Sequence, residues 1–292
     1  MQALTHGMEL LPDSWMNITQ PQLQDVCALL ALETEFIDWR KFLLAAAQPW
    51  PPASKMDLLL TLERCREVDS SFSGRVARDQ FDQVELWFTG QQELENPQDP
   101  DVPPIFDRQG KLKNAFYQIF ADHKDSVSTL DYVDMLLYFA ADPDPLEGFL
   151  RGLSLASNQP MPSSKSLVHL PQPMTDDYGG DVSVPQIQEP TSPPPEMDSL
   201  VTLENLMKVL HHGEGRLEDT YRLSLTTDPD DTFARERLAG VFLELGAEET
   251  EAVPFHLLYQ HPIIQDCMHM CQRFKTLDLR NSFKSSSVDS FE

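Results

Sequence analysis

The chain has 292 residues, 41% of them hydrophobic, and a formal net charge of −25. That is enough length and apolar content for a packed core, in one large domain or two small ones. The charge argues against nucleic acid, where Lys and Arg must displace counterions, and against anionic membrane surfaces, so folded proteins are the expected partners.

The first helix is predicted from Thr19 and Gln22 at capping-box spacing, followed by Leu23, Val26, Cys27 and Leu30 on one face. A second is predicted from about Trp39 to Ala47, stopped by Pro49, Pro51 and Pro52. A third runs from about Ser54 to Val68, and a fourth from about Arg78 to Thr89 with Phe81, Val84 and Phe88 aligned. Residues 91–107 are acidic and proline-rich and read as an extended linker. Leu112, Ala115, Phe116, Ile119 and Phe120 then form an amphipathic stripe, and another helix is expected from about Ser128 to Ala140.

Asp144 suits an N-cap, Pro145 a first helical position, and Glu147 stands three residues after the cap. Leu146, Phe149, Leu150 and Leu153 are the expected buried face of that helix. Residues 158–198 are rich in Pro, Ser, Gln and Asp and show no period, so disorder is expected there. Helical spacing returns at Leu203, Leu206, Met207 and Leu210, and again at Leu238, Val241, Phe242 and Leu245, ended by Gly246 as a C-cap. The last helix is expected from Pro262, with Ile263, Cys267, Met270, Cys271 and Phe274 on one face, before a Ser-rich tail. Almost no alternating run of strand length occurs, so the expected fold class is all-α.

The most informative motif is Val68–Phe81, VDSSFSGRVARDQF, which fits a twelve-residue EF-hand loop. Asp69, Ser71 and Ser73 take positions 1, 3 and 5, Gly74 the sharp turn at 6, and Val76 the apolar position 8. Position 12, normally a bidentate Glu, is Gln80. Calcium takes six to eight oxygens, several charged, and this loop supplies one certain carboxylate. A loop kept for its shape is the expected reading, and a weak calcium sensor on Asp69, Ser71, Ser73 and Gln80 is the alternative. Ile37, with Lys41 at position 12, is the expected pairing partner of Val76. Two weaker loops place Val127 and Asp131, and Phe233 and Arg237, at positions 8 and 12. These four degenerate EF-hand-like units are expected to pair into two lobes.

Other chemistry is weakly signalled. His261, Cys267, His269 and Cys271 offer zinc-type ligands, but the two cysteines fall on the apolar stripe and no CxxC pair exists. No phosphate-cradling glycine loop, GxSxG or HExxH is present, and His211 and His212 read as helix-end groups. No catalytic residue, metal or cofactor is expected. The start of the chain shows no charged, apolar leader, no stretch has the roughly 18 apolar residues of a membrane span, and cysteines number four. An intracellular, reducing compartment is expected.

Glu33–Pro51 (ETEFIDWRKFLLAAAQPWP), Asp134–Ala156 (DMLLYFAADPDPLEGFLRGLSLA) and Glu244–Asp266 (ELGAEETEAVPFHLLYQHPIIQD) resemble the C-terminal region of the sperm flagellar protein 2 family. The resemblance implies a large multi-domain protein of motile cilia and sperm flagella, of which this chain would be the C-terminal part or a short form. It implies association with the central-pair apparatus of the axoneme, flagellum assembly and intraflagellar transport. It also implies ciliary or flagellar proteins as partners, with no nucleic acid and no membrane. No family metal ligand carries over, because Lys41, Gln80 and Arg237 stand where an acid is expected.

The expected organisation is an N-terminal segment (1–18), a paired EF-hand-like lobe (19–91) and an acidic linker (92–107). A helical segment (108–157) and a disordered insert (158–198) follow. A second helical segment (199–275) completes the other lobe, and a disordered tail (276–292) ends the chain.

Overall fold

A computed structural model describes residues 18–30, 38–46, 52–89, 105–122, 127–167, 198–213, 229–277 and 279. Among them the helices are α1 Gln20–Leu30, α2 Trp39–Ala46, α3 Lys55–Val68, α4 Arg78–Gln83, α5 Ile105–Phe120 and α6 Tyr132–Leu137. The chain continues with α7 Pro145–Ser157, α8 Ser164–Leu167, α9 Leu203–Leu210, α10 Pro229–Glu244, α11 Phe255–Gln260 and α12 Pro262–Met270. Five short strands lie between them: β1 Arg75–Ala77, β2 Ala121–Asp122, β3 Thr129–Asp131, β4 Leu200–Thr202 and β5 Ala252–Pro254.

The strands overturn the expected all-α class with its EF-hand-like helix pairs in two lobes. β1, β3 and β2 form a three-stranded antiparallel sheet in that order, and β4 pairs antiparallel with β5. The fold is therefore mixed, mostly helical with two small sheets. Three residues are too few for an alternating pattern to show in sequence, and such strands form only because tertiary pairing satisfies their backbone groups.

Four strands share one plan: the middle residue points into the core, and a helix starts as the strand ends. Val76, Leu130, Val201 and Val253 are the buried middle residues, and Phe81, Met135, Leu206 and Leu258, each five positions later, are buried on the helix that follows. The registers are Val76↔Leu130 and Val201↔Val253. The expected pairing of Val76 with Ile37 is thus corrected, since β1 takes Leu130; Ile37 itself lies outside the described residues. Val127, expected at the apolar pairing position, is 60% exposed, and Leu130 does the pairing instead. Phe233 and Arg237 lie within α10 and not in a loop.

One apolar core runs from Leu43 to Phe274 in place of two lobes. At its centre Phe116 packs against Trp87, Phe88, Phe120 and Phe139, with ring centroids 4.9–6.5 Å apart, the range of favourable aromatic pairs. Arg151, buried on α7, donates to the carbonyls of Ala53, Phe139 and Ala141 and so ties the start of α3 to the end of α6. A smaller cluster joins Val26 of α1, Ala45 of α2 and Leu279.

After α12 the chain crosses α7. Asp142 N donates to Phe274 O (2.9 Å) and Thr276 N to Asp142 O (2.9 Å), a short parallel bridge. Phe274 lies on a seam of two glycines: a Cβ on Gly148 would stand 2.3 Å from Phe274 O, and one on Gly152 3.1 Å from its ring.

Most of the long apolar stripes are in place, although Leu23 of the first is 46% exposed. Ser54 caps α3 with a reciprocal bond to Asp57, and Asp144 caps α7 with Pro145 at its first position. Gly246 ends α10 with φ +83°. Three helix expectations are corrected. The helix from Arg78 stops at Gln83, because Val84, Leu86, Trp87 and Phe88 are all buried, which no single helix face can achieve. The segment from Ser128 opens as β3. In α12 the buried residues are Ile264 and Met268, while Met270 is 76% exposed. Of the expected linker at 91–107, residues 91–104 lie outside the described residues and 105–107 open α5. Of the insert expected to be disordered at 158–198, residues 158–167 carry α8 and the buried Met161 and Leu167, and 168–197 lie outside the described residues, as does most of the tail. Among the described residues no helix is long and apolar enough to cross a membrane.

Candidate functional site

Among the described residues, the loop between α3 and α4 gathers several polar side chains around one buried carboxylate. α3 ends at Asp69, whose N–H donates to Cys65 O, and Phe72 N turns back onto Asp69 O (3.0 Å). Phe72 and Gly74 then adopt left-handed backbone, φ +53° and +76°. Gly74 tolerates this freely, whereas Phe72 must be held there by its surroundings.

What holds it is the buried carboxylate of Asp69. Oδ1 accepts from Ser71 Oγ (2.8 Å) and Ser73 Oγ (3.2 Å), and Oδ2 accepts from Gly74 N (2.8 Å) and Tyr132 Oη (3.3 Å). Burial by itself raises the Asp69 carboxyl, but the donors on Ser71, Ser73 and Gly74 together outweigh it and leave it below its usual range. Tyr132 answers in the other direction: burial, then the Asp69 charge, push its hydroxyl up to about 12.

Gln80 closes the far end. Its Nε2 donates to Val68 O (2.8 Å), and its Oε1 accepts from Ala77 N (2.9 Å) at the start of α4. The first bond needs an N–H, which a carboxylate lacks. Of the four residues singled out in sequence, Asp69, Ser71 and Ser73 thus meet at one point, and Gln80 sits apart as a staple across the loop ends.

The arrangement has little to offer a cation. Both oxygens of its one carboxylate already accept internal protons, the Ser71 hydroxyl is turned toward that carboxylate, the Ser73 hydroxyl lies between it and Arg75 O (3.1 Å), and calcium would have to displace these donors and find several further oxygens. The other sequence candidates are spread out and structural. Lys41 Nζ donates to Arg273 O (2.9 Å), fastening α2 to the chain after α12. Asp131 caps α6 by accepting from Asp134 N (2.8 Å). His261 Nδ1 accepts from Ile263 N as the cap of α12, and its Nε2 faces Glu244 (3.1 Å). His269 Nδ1 bonds Gln265 O (2.7 Å), and burial raises the Cys267 thiol. Among the described residues no three His, Cys, Asp or Glu side chains converge as a metal site.

His212 departs from its sequence reading as a helix-end group. His211 caps α9 as expected, but His212 is buried, its ring edge-on to Tyr138 (4.4 Å) and stacked over Phe274 (5.9 Å). Its Nδ1 lies 3.2 Å from Asp134 Oδ1 without hydrogen-bond alignment. Tyr138 Oη donates to Asp38 Oδ2 (2.7 Å), and burial followed by the Asp38 charge raises that hydroxyl well above its usual value. The Gly148–Gly152 spacing on an apolar helix marks the close approach of Phe274, on which the His212 ring stacks.

The model of the SPEF2 C-terminal domain family matches residues 1–163 of the chain. Along 95% of its length the chain is 34% identical to sperm flagellar protein 2 of Sus scrofa, 31% to that of Homo sapiens and 32% to that of Mus musculus. It spans 16–17% of the length of these relatives. None of these names denotes a reaction. The family match covers more than half of the residues, and the chain belongs to the SPEF2 C-terminal domain family.

Proposed function

We propose that the chain is a non-catalytic structural adaptor of the sperm flagellum and motile cilium, working through protein–protein contacts in axonemal assembly, spermatogenesis and motility. The observation that carries the reading is membership of a family whose relatives are named for the sperm flagellum. The closed loop at Asp69 supports it, because this polar cluster spends the groups described there on holding backbone. Central-apparatus and intraflagellar-transport proteins of the axonemal cytoskeleton are the partners this reading favours.

The test is proximity labelling with the tagged chain in ciliated cells, run with and without a calcium chelator. Axonemal neighbours, the same in both conditions, are expected. A diffuse cytosolic profile with no axonemal neighbour sinks the adaptor reading, and a neighbour set that appears only with calcium restores the sensor on Asp69.

A further inference from the structure

We infer that the chain from Cys271 to Leu279 is a latch: this strap holds α1 on the molecule, and its release melts α1 while the main core stays folded. α1 has eleven residues, and an isolated helix of that length is marginal in water, so it persists by packing. That packing is slight. Among the described residues no side chain of α1 belongs to the main core, and Val26 is its one fully buried apolar side chain. Val26 packs with Ala45 and Leu279, and Ile18, Leu30, Phe42 and Leu277 lie against them. α2 has its own hold on the main core through Leu43 and Leu44. The strap therefore supplies, through Leu277 and Leu279, one whole side of the cluster that keeps α1 in place.

The strap is fastened at its other end. Phe274 is buried in the seam of Gly148 and Gly152, edge-on to Phe149 (6.3 Å) and stacked on His212. Asp142 brackets it with one bond on either side, to Phe274 O and from Thr276 N. Lys41 Nζ donates to Arg273 O, and the Arg273 guanidinium donates to His212 O (2.9 Å). Between Cys271 and Leu277 the described chain forms no helix and only the single bridge at Lys275. Leu279 stands five residues after Phe274, a stretch that reaches at most about 17 Å when fully extended. Where Phe274 is held thus decides whether Leu279 reaches α1. A segment with few backbone bonds and two apolar anchors belongs to the low-stability end of a fold, the part that opens before the core.

Hydrogen exchange of the full chain under native conditions, read by mass spectrometry, is the test. In the parent the α1 amides are expected to be protected. Leu279→Ala is expected to speed exchange across α1 at least tenfold and to leave α3 and α7 as they were. Leu279→Met, which keeps an apolar side chain of similar volume, is expected to keep α1 protected. Gly148→Ala acts from α7, where the added methyl meets Phe274 O and Asp142 N. It is expected to speed exchange in the strap and in α1 together. Protection of α1 that survives Leu279→Ala overturns the latch, and so does an α1 that exchanges as fast in the parent as in the variant. A loss in Leu279→Ala spread evenly over α1, α3 and α7 overturns it as well, because the strap would then be part of one cooperative core. A Gly148→Ala chain with a fast strap and a protected α1 shows the two ends uncoupled and overturns it too.

Discussion

Replacing Gln80 by Glu changes one NH₂ to an oxygen at a side chain whose two amide atoms are both bonded to backbone. The Ala77 N–H keeps its acceptor, but Val68 O loses its donor and faces a negative oxygen at the former 2.8 Å contact. Losing the bond and leaving a half-buried carbonyl unpaired costs about 1–3 kcal/mol. A carboxylate at the start of α4 recovers about 0.5 kcal/mol through the helix dipole. The net loss is therefore about 0.5–2.5 kcal/mol at pH 7, a fall of a few degrees in Tm for a chain of this size. The sign with pH is definite. Facing Val68 O raises the folded pKa of the introduced carboxyl, so the penalty is complete above that folded pKa. It vanishes as the pH falls below the unfolded value near 4.3, where the acid can donate to Val68 O. Thermal melts followed by tryptophan fluorescence, in chelator at pH 7 and pH 4, make the comparison. A Gln80→Glu protein as stable as the parent at pH 7, or one whose deficit grows on acidification, refutes the staple.

Asp69→Ala removes the acceptor for four donors, and a loss of about 3–4 kcal/mol is expected in urea unfolding, as for other broken buried networks. Because the folded Asp69 carboxyl is depressed, its contribution is complete above the unfolded value near 3.9 and is lost as the pH falls through the folded one; the stability gap between parent and Asp69→Asn should narrow below about pH 4. Gly148→Ala drives a methyl into Phe274 O, a backbone atom, and should cost about 1–3 kcal/mol; Gly240→Ala, with open space around its Cβ, should stabilise by about 0.5–1 kcal/mol in the same melts.

How much of the fold is legible in sequence depends on the length of each signal. α3, α7 and α9 carry caps and several turns of apolar spacing, and the structure places them within a residue or two. The strands carry three residues each, and what makes them strands is a partner far along the chain, so no local window can reveal them. The Asp69 loop is legible because glycine, acid and hydroxyls stand at fixed spacing, and Val76 is a pairing residue as its loop position implies. Its partner is not legible, because Leu130 is one apolar residue among many whereas Ile37 happens to lie at a plausible separation. Oxygen type alone makes Ser71 and Ser73 look like ligands, and only coordinates show both hydroxyls within hydrogen-bond reach of Asp69. Spacing alone puts Phe274 on a helix, yet it belongs to the chain beyond α12, held by the glycine seam and the Asp142 bridge.

The central claim is that the Asp69 loop is closed by its own donors and serves as a fixed shape, not a switch. Melting the purified chain in EDTA and then in millimolar calcium tests it most directly, because Trp87 is buried beside the loop-bearing core and any ligand of the native state raises Tm by mass action. The account predicts superimposable melts and unchanged fluorescence. A calcium-dependent rise in Tm that Asp69→Asn abolishes would contradict it.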